Sequence, residues 1–185
     1  MKIAVVSDTH MPRFAKALPF ALRQGFAREA VGLILHLGDF TAPDVADLFA
    51  AIAPFDAVAG NNDGDELVRR FGRRKVIGVE GVRIGLTHGD GVRKTTLERA
   101  LDAFADDGVD VILFGHSHAP YCARHRDVWV MNPGSPTDKR RNPRYSWGVL
   151  EIRDGGVFPA LHYFDDKSPG EADPPRRPRH ESSSG

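Results

Sequence analysis

The sequence predicts an α/β layered domain that finishes in a β meander, and three features of its patterning predict it. Short apolar runs punctuated by Gly, Pro, Asn and Asp read as buried strands, segments of helical spacing lie between them, and the last third carries strands alone. In chain order the first strands fall at residues 3–6, 33–37, 57–59, 83–87 and 109–114. The first helical segment steps by four through Phe14, Leu18, Leu22, Phe26 and Ala30. A second aligns Val45, Leu48, Phe49 and Ile52 on one face, and a third aligns Leu97, Ala100, Leu101 and Phe104. Thr41-x-x-Asp44 and Thr95-x-x-Glu98 stand ahead of these two helices as capping boxes, in which hydroxyl and carboxylate satisfy orphan N–H groups. Strands at 121–125, 128–131, 146–152 and 157–163, joined by turns, complete the domain.

With 185 residues, 41% of them hydrophobic and 27% charged, the chain can bury one core of its own, which excludes wholesale disorder and fibrous repeats. The 25 basic and 25 acidic side chains cancel, so no global field draws nucleic acid or an anionic membrane, and any anion recognition must be local. The single cysteine, Cys122, permits neither an intramolecular disulfide nor a cysteine zinc cage and reads as a small buried hydrophobe. The first residues hold no signal-peptide apolar region and no run reaches membrane-spanning length, so a cytoplasmic protein with no membrane partner is expected. Residues 166–185 contain four prolines and one small apolar residue, Ala172; they are expected to form a disordered tail, leaving 1–165 as the domain.

The informative regularity lies at the strand ends. The five strands run into Asp8-Thr9-His10, Gly38-Asp39, Gly60-Asn61-Asn62-Asp63, His88 and Gly115-His116-Ser117-His118. Strand carboxyl ends form the ligand-binding edge of an open α/β sheet, so Asp8, His10, Asp39, Asn61, His88, His116 and His118 are expected to meet there. Buried without a cation, such a set of carboxylates, imidazoles and an amide would be costly to desolvate. Two divalent cations make the cluster net positive, as suits a phosphodiester monoanion, and paired metals clamp in-line displacement at phosphorus. Mixed imidazole and carboxylate donors without thiolate favour Mn, Fe, Co, Ni or Zn over Mg or Ca. Of the remaining histidines, His36 lies inside a strand and is expected in the core or just behind the site, whereas His125, His162 and His180 have no assigned role.

This ordered set resembles the calcineurin-like metallophosphoesterase superfamily, and Asn132-Pro133-Gly134-Ser135 with Arg140 resembles its small prokaryotic phosphodiesterase branch. The resemblance implies a four-layer αββα sandwich with two central mixed β-sheets. It also implies two divalent transition-metal ions, manganese first among the expectations: one held by Asp8, His10, Asp39 and His118, the other by Asp39, Asn61, His88 and His116, with Asp39 bridging. The wider superfamily places a histidine after the ligand Asn to assist the leaving group; here the residue is Asn62, which donates hydrogen bonds but is no general acid near neutral pH. Asp63 in the family helps orient the neighbouring site. Arg140, in a loop with Lys139, Arg141 and Arg144, is the candidate to hold a phosphate.

The expected function is therefore metal-dependent hydrolysis of a small phosphoester, preferably a phosphodiester, by a hydroxide bridging the metals, with Asn62 and Arg140 adding hydrogen bonds. The alternatives are a non-catalytic interaction scaffold on the same fold and a phosphomonoesterase. A homo-oligomer stays open.

Overall fold

The computed structural model describes residues 1–170. Ten strands and four helices alternate as β1 (Lys2–Val6), α1 (Phe20–Glu29), β2 (Leu33–His36), α2 (Pro43–Ala50), β3 (Phe55–Ala57), α3 (Asp65–Phe71), β4 (Arg74–Val79), β5 (Val82–Thr87), α4 (Thr96–Ala103), β6 (Val111–Leu113), β7 (Tyr121–His125), β8 (Val128–Asn132), β9 (Tyr145–Arg153) and β10 (Gly156–Phe164). They build two five-stranded mixed sheets, ordered β10-β9-β1-β2-β3 and β4-β5-β6-β8-β7. β1, β2 and β3 run parallel, as do β5, β6 and β8.

Alternation along β1 explains the layering. Ile3 and Val5 face the second sheet in a cluster with Leu35, Ile84, Leu86, Val111 and Leu113, while Ala4 and Val6 face α1 and α2 through Leu22, Phe26 and Phe49. On the outer side of the second sheet α4 packs Ala100 and Phe104 over Ile112 and Phe114. Helices thus cover both sheets and the sheets cover each other, which is the expected αββα sandwich and the reason the central strands read as continuous apolar runs.

The capping box of α4 forms as expected: Thr95 Oγ1 accepts from the Glu98 N–H at 3.2 Å and the Glu98 carboxylate accepts from the Thr95 N–H at 2.7 Å. The box expected of Thr41 and Asp44 does not. Ala42 is the N-cap, Pro43 opens α2, and Thr41 instead donates its hydroxyl to Met11 O (2.5 Å) and its N–H to Asp63 (2.8 Å), because the loop around the candidate site claims both groups. Helix α1 starts at Phe20, after Pro19, and not at Phe14; the four-residue spacing continues by chance into a turn whose Phe14 N–H donates to His10 O at 3.1 Å. Helix α3 and strand β4 escape the pattern of apolar runs, and the final strands are no simple meander, since β7 and β8 extend one sheet whereas β9 and β10 extend the other.

Of the expected tail, residues 166–170 are docked: Ser168 O accepts from the Phe20 N–H at 2.9 Å and Pro169 O from Arg23 Nη2 at 2.6 Å. A lack of apolar side chains points to disorder, but this segment is held by its own polar groups. The rest of that expectation, 171–185, lies outside the described residues, as does His180. No helix among the described residues is long and apolar enough to cross a membrane.

Candidate metal centre

The five strand ends do converge, though on two sheets and not one. β1, β2 and β3 present Asp8, His10, Asp39 and Asn61 from the first sheet, and β5 and β6 present His88, His116 and His118 from the second, so the cluster sits where the sheet edges meet. Five of the seven candidates have left-handed backbones: Asp8 (φ 56°), His10 (44°), Asp39 (60°), His116 (65°) and His118 (58°). Asp and His tolerate this region better than most residues, yet each instance costs about 1–3 kcal/mol, and such strain concentrates at functional sites. Two glycines make the close approach feasible. A Cβ on Gly60 would overlap the Asp39 carboxylate, and one on Gly115 would overlap Ser7 Oγ.

The convergent atoms are Nε2 and carboxylate oxygens. Asp8 Oδ1 lies 3.3 Å from His118 Nε2 and 3.9 Å from both His10 Nε2 and His88 Nε2. Asp39 Oδ2 lies 3.3 Å from His88 Nε2 and 3.5 Å from His10 Nε2. It therefore reaches one histidine of each expected set, as Asp8 Oδ1 also does. His116 stacks edge-on to His88 with ring centroids 5.2 Å apart, and its N–H donates to Asp8 Oδ2 at 2.9 Å. Asn61 is exposed one residue beyond Gly60.

Orientation of the rings is set from behind. His88 Nδ1 donates to Leu37 O and His118 Nδ1 to Asp138 O, both at 2.6 Å. A carbonyl only accepts, so these bonds put a proton on Nδ1 of each ring and turn Nε2 inward, the usual support of a metal-binding histidine.

Two atoms test whether a cation fits. Asp8 Oδ1 and His88 Nε2 are buried and make no aligned hydrogen bond, though Nε2 lies 3.3 Å from Asp39 Oδ2 and 3.9 Å from Asp8 Oδ1. His10 Nε2 and His118 Nε2 meet at 3.3 Å, and two lone pairs at that distance repel unless a proton or cation intervenes. Asp8, His10 and His118 form one buried group of donor atoms within mutual reach, and Asp8, Asp39 and His88 form a second. The residues fit divalent ions.

Electrostatics divide the site. Burial pushes Asp8 up to about 7 against the pull of His88. Burial opposes charge on His88, but the close Asp39 carboxylate and the charge of Asp8 prevail and raise it to about 9. Burial works against ionised Asp39 too, yet the nearby His88 charge and the bonds from Asn62 hold its carboxyl well below the usual range. Burial lowers His10 and His116, and takes His118 down to about 4.

The remaining candidates take definite places. Asn62 donates its N–H to Asp39 Oδ1 (2.9 Å) and its Nδ2 to Asp39 Oδ2 (2.7 Å). Buried Asp63 accepts from the Asp39 and Gly60 N–H groups at 2.8 and 2.7 Å, stitching the loops after β2 and β3. In the basic loop, Lys139 is spent on Pro143 O and Arg144 on Asp165. Arg140 is half-exposed 3.9 Å from Asp138 Oδ2, and its charge is felt by both His10 and His118. His36 is buried and neutral: it stacks on Phe40, bonds Thr9 Oγ1 at 3.2 Å and accepts from the Gly38 N–H. His125 pairs with the Tyr121 hydroxyl and His162 stacks on Trp147, both remote from the centre.

Sequence patterning misses the brace behind the ligands. Ser135 Oγ donates to Asp8 O at 2.8 Å and accepts from the Thr137 and Asp138 N–H groups; Thr137 Oγ1 donates to Thr9 O, and Asn142 Nδ2 to His118 O. Asn132 bonds Gly115 O and Ser117 Oγ. The density of Asn, Ser and Thr over residues 132–142 is the available signal, but it reads equally well as an ordinary loop.

A two-sheet sandwich with a histidine-carboxylate cluster at its strand ends defines a metallohydrolase class, and similarity narrows it. Residues 1–155 match the calcineurin-like phosphoesterase superfamily domain, and the chain belongs to that superfamily. It is 36% identical over 144 residues to a probable metallophosphoesterase of Methanothermobacter thermautotrophicus, covering 76% of this chain and 80% of that one. A phosphodiesterase of Methanocaldococcus jannaschii is 30% identical over 148 residues, 72% of this chain and 83% of that protein. Among solved structures, Vps29 of Chaetomium thermophilum superposes with a TM-score of 0.72 at 20% identity, covering 91% of this chain and all of that one.

Proposed function

We propose that the protein is a phosphodiesterase that works with two divalent transition-metal ions, manganese foremost. The observation that carries this reading is the pair of donor groups that overlap at Asp8, whose buried Oδ1 makes no hydrogen bond. Asp8, His10, Asp39 and His118 would hold one ion, and Asp39, Asn61, His88 and His116 the other. Bound there, the ions would supply Lewis acidity, neutralising phosphoryl oxygens and acidifying the attacking water. Everything else falls to the chain. The Leu37 and Asp138 carbonyls keep the His88 and His118 rings aimed inward. Asn62 spends one amide N–H on Asp39 and has a second for a phosphoryl oxygen, while the Arg140 guanidinium, 3.9 Å from Asp138 Oδ2, would hold a further anionic oxygen.

The preference for diesters rests on charge and on Asn62. A diester monoanion needs less neutralisation than a monoester dianion, and an amide cannot protonate an alkoxide leaving group.

Activated aryl diesters should be hydrolysed by metal-replete protein, lose that hydrolysis to chelator and regain it with Mn²⁺. Protein that binds no divalent ion and turns over no phosphoester would instead be a scaffold on this fold. A rate on aryl monoesters far above that on diesters would make it a phosphomonoesterase.

A further inference from the structure

Lys167 comes after β10, in the stretch where composition alone suggests a disordered tail. Its Nζ donates to Phe14 O at 2.6 Å and to Thr137 O at 2.9 Å and lies 5.6 Å from the centre of the Tyr145 ring. The Phe14 carbonyl belongs to the loop that carries His10, and the Thr137 carbonyl to the loop that supports His118 from behind. The Phe14 N–H closes the turn that presents His10, and the Phe14 ring stands edge-on to the His10 ring at 5.9 Å. Thr137 Oγ1 donates to Thr9 O at 2.6 Å, and the next residue, Asp138, offers the carbonyl that orients His118. An ammonium has three donors and no acceptor, so it can tie carbonyls of two loops at once, which no neutral side chain of similar length does as well.

The segment around Lys167 is itself anchored. Ser168 O caps the start of α1 through the Phe20 N–H, Pro169 O accepts from Arg23, and Asp166 accepts from both the N–H and the hydroxyl of Ser168. Residues 166–170 thus run as a strap from the end of β10 to α1, with the lysine projecting between the loop of His10 and the loop that supports His118.

We propose that Lys167 is a positioning residue for one half of the metal centre. It clamps the loops so that the His10 and His118 rings stay stacked, with centroids 5.2 Å apart, planes 18° apart and Nε2 atoms 3.3 Å apart. Asp39 and His88 rest on different supports, Asp63 and the Leu37 carbonyl, so loosening the strap should be felt by one metal position and not the other. The inference rests on the reading of the site as a two-metal centre.

The test is Mn²⁺ binding to full-length wild-type, Lys167→Met and Lys167→Arg proteins, measured by titration calorimetry, with melting of the metal-free proteins as a check on folding. Lys167→Met should weaken one of two equivalents by about 10- to 100-fold, the range seen for groups that orient ligands, and leave the other within about twofold. Lys167→Arg should recover most of the loss, since it restores a cationic donor. A chain ending after Asp165 should behave as Lys167→Met, and one ending after Gly170 as wild type; this pair keeps the inference open to failure even if Lys167→Met folds poorly. Two equivalents bound by Lys167→Met as tightly as by wild type would overturn the positioning role and leave the metal centre standing. Equal weakening of both equivalents would also overturn it, by showing general loosening. Wild-type protein that takes up no metal would overturn the metal reading itself and this inference with it.

Discussion

The two halves of the centre are built on opposite principles. Asp8, His10 and His118 are held by neutral polar groups reaching in from residues 132–142 and by one distant lysine, and burial leaves His118 at about 4, a neutral ring at physiological pH. Asp39 and His88 form an ion pair at 3.3 Å, with His88 raised to about 9 and Asp39 gripped by Asn62 and Asp63. In one half the histidines are neutral and only Asp8, raised to about 7, competes for a proton; the other carries a proton on His88 that a cation must displace. The difference shows how one fold edge can offer two unlike donor groups with nearly the same residue types.

The harshest way to break this comparison is at Asp39, the carboxylate proposed to bridge the two halves. Asp39→Asn removes the charge that lies within 3.5 Å of a histidine from each half. Diester hydrolysis should fall by more than ~100-fold, the upper range for groups that only orient ligands, and metal content should fall with it. His125→Ala, which merely unpairs Tyr121, should stay within about twofold. Comparable losses from these two changes would remove the ligand assignment.

Next is the leaving group. Without a general acid at Asn62, rates should fall steeply as the leaving-group pKa rises. Asn62→His should flatten that slope, with a gain on poor leaving groups below the roughly 10²- to 10⁴-fold typical of a well-placed acid, because the shell was not shaped for the ring. Wild-type rates already insensitive to leaving-group pKa would mean that another residue supplies the proton.

Proton release sharpens the electrostatic contrast. At pH 7 the metal-free protein should hold a proton on His88 and part of one on Asp8, whereas the His118 ring is neutral. Filling the centre should thus release protons, measured as the dependence of binding heat on buffer ionisation enthalpy. Affinity should rise with pH and level off above about 9, once His88 is deprotonated. His88→Ala should remove most of the release and His118→Ala little; the opposite ranking would reverse the electrostatic division of the site.

The smallest effect concerns the brace. Ser135→Ala strands the Asp8 carbonyl and the Thr137 and Asp138 N–H groups, at a cost of about 1–3 kcal/mol per buried orphan that water does not reach. A fall of several degrees in the melting temperature of the metal-free protein is expected. No change in melting would mean that the loop after β8 is held elsewhere.

Much of this protein is decided locally. The strands of the first sheet are written in runs such as 3–6 and 33–37, the start of α4 in Thr95 and Glu98, and the candidate ligands in the polar residues that end five strands, because period, capping and strand-end chemistry act within a few positions of the chain. Other features look alike at that range. Phe14 keeps the helical spacing but lies in a turn, Thr41 has a capping partner but serves Met11 and Asp63, and Lys167 sits among tail-like residues but reaches two loops far away in sequence. Only the tertiary structure decided these, and with them which sheet each candidate ligand comes from, which ring nitrogen faces inward and which histidine carries the proton. The physical reason is common to all of them. A hydrogen bond or a buried charge acts over a few ångströms in space whatever the separation along the chain, so the sequence by itself names the groups, and folding chooses their partners.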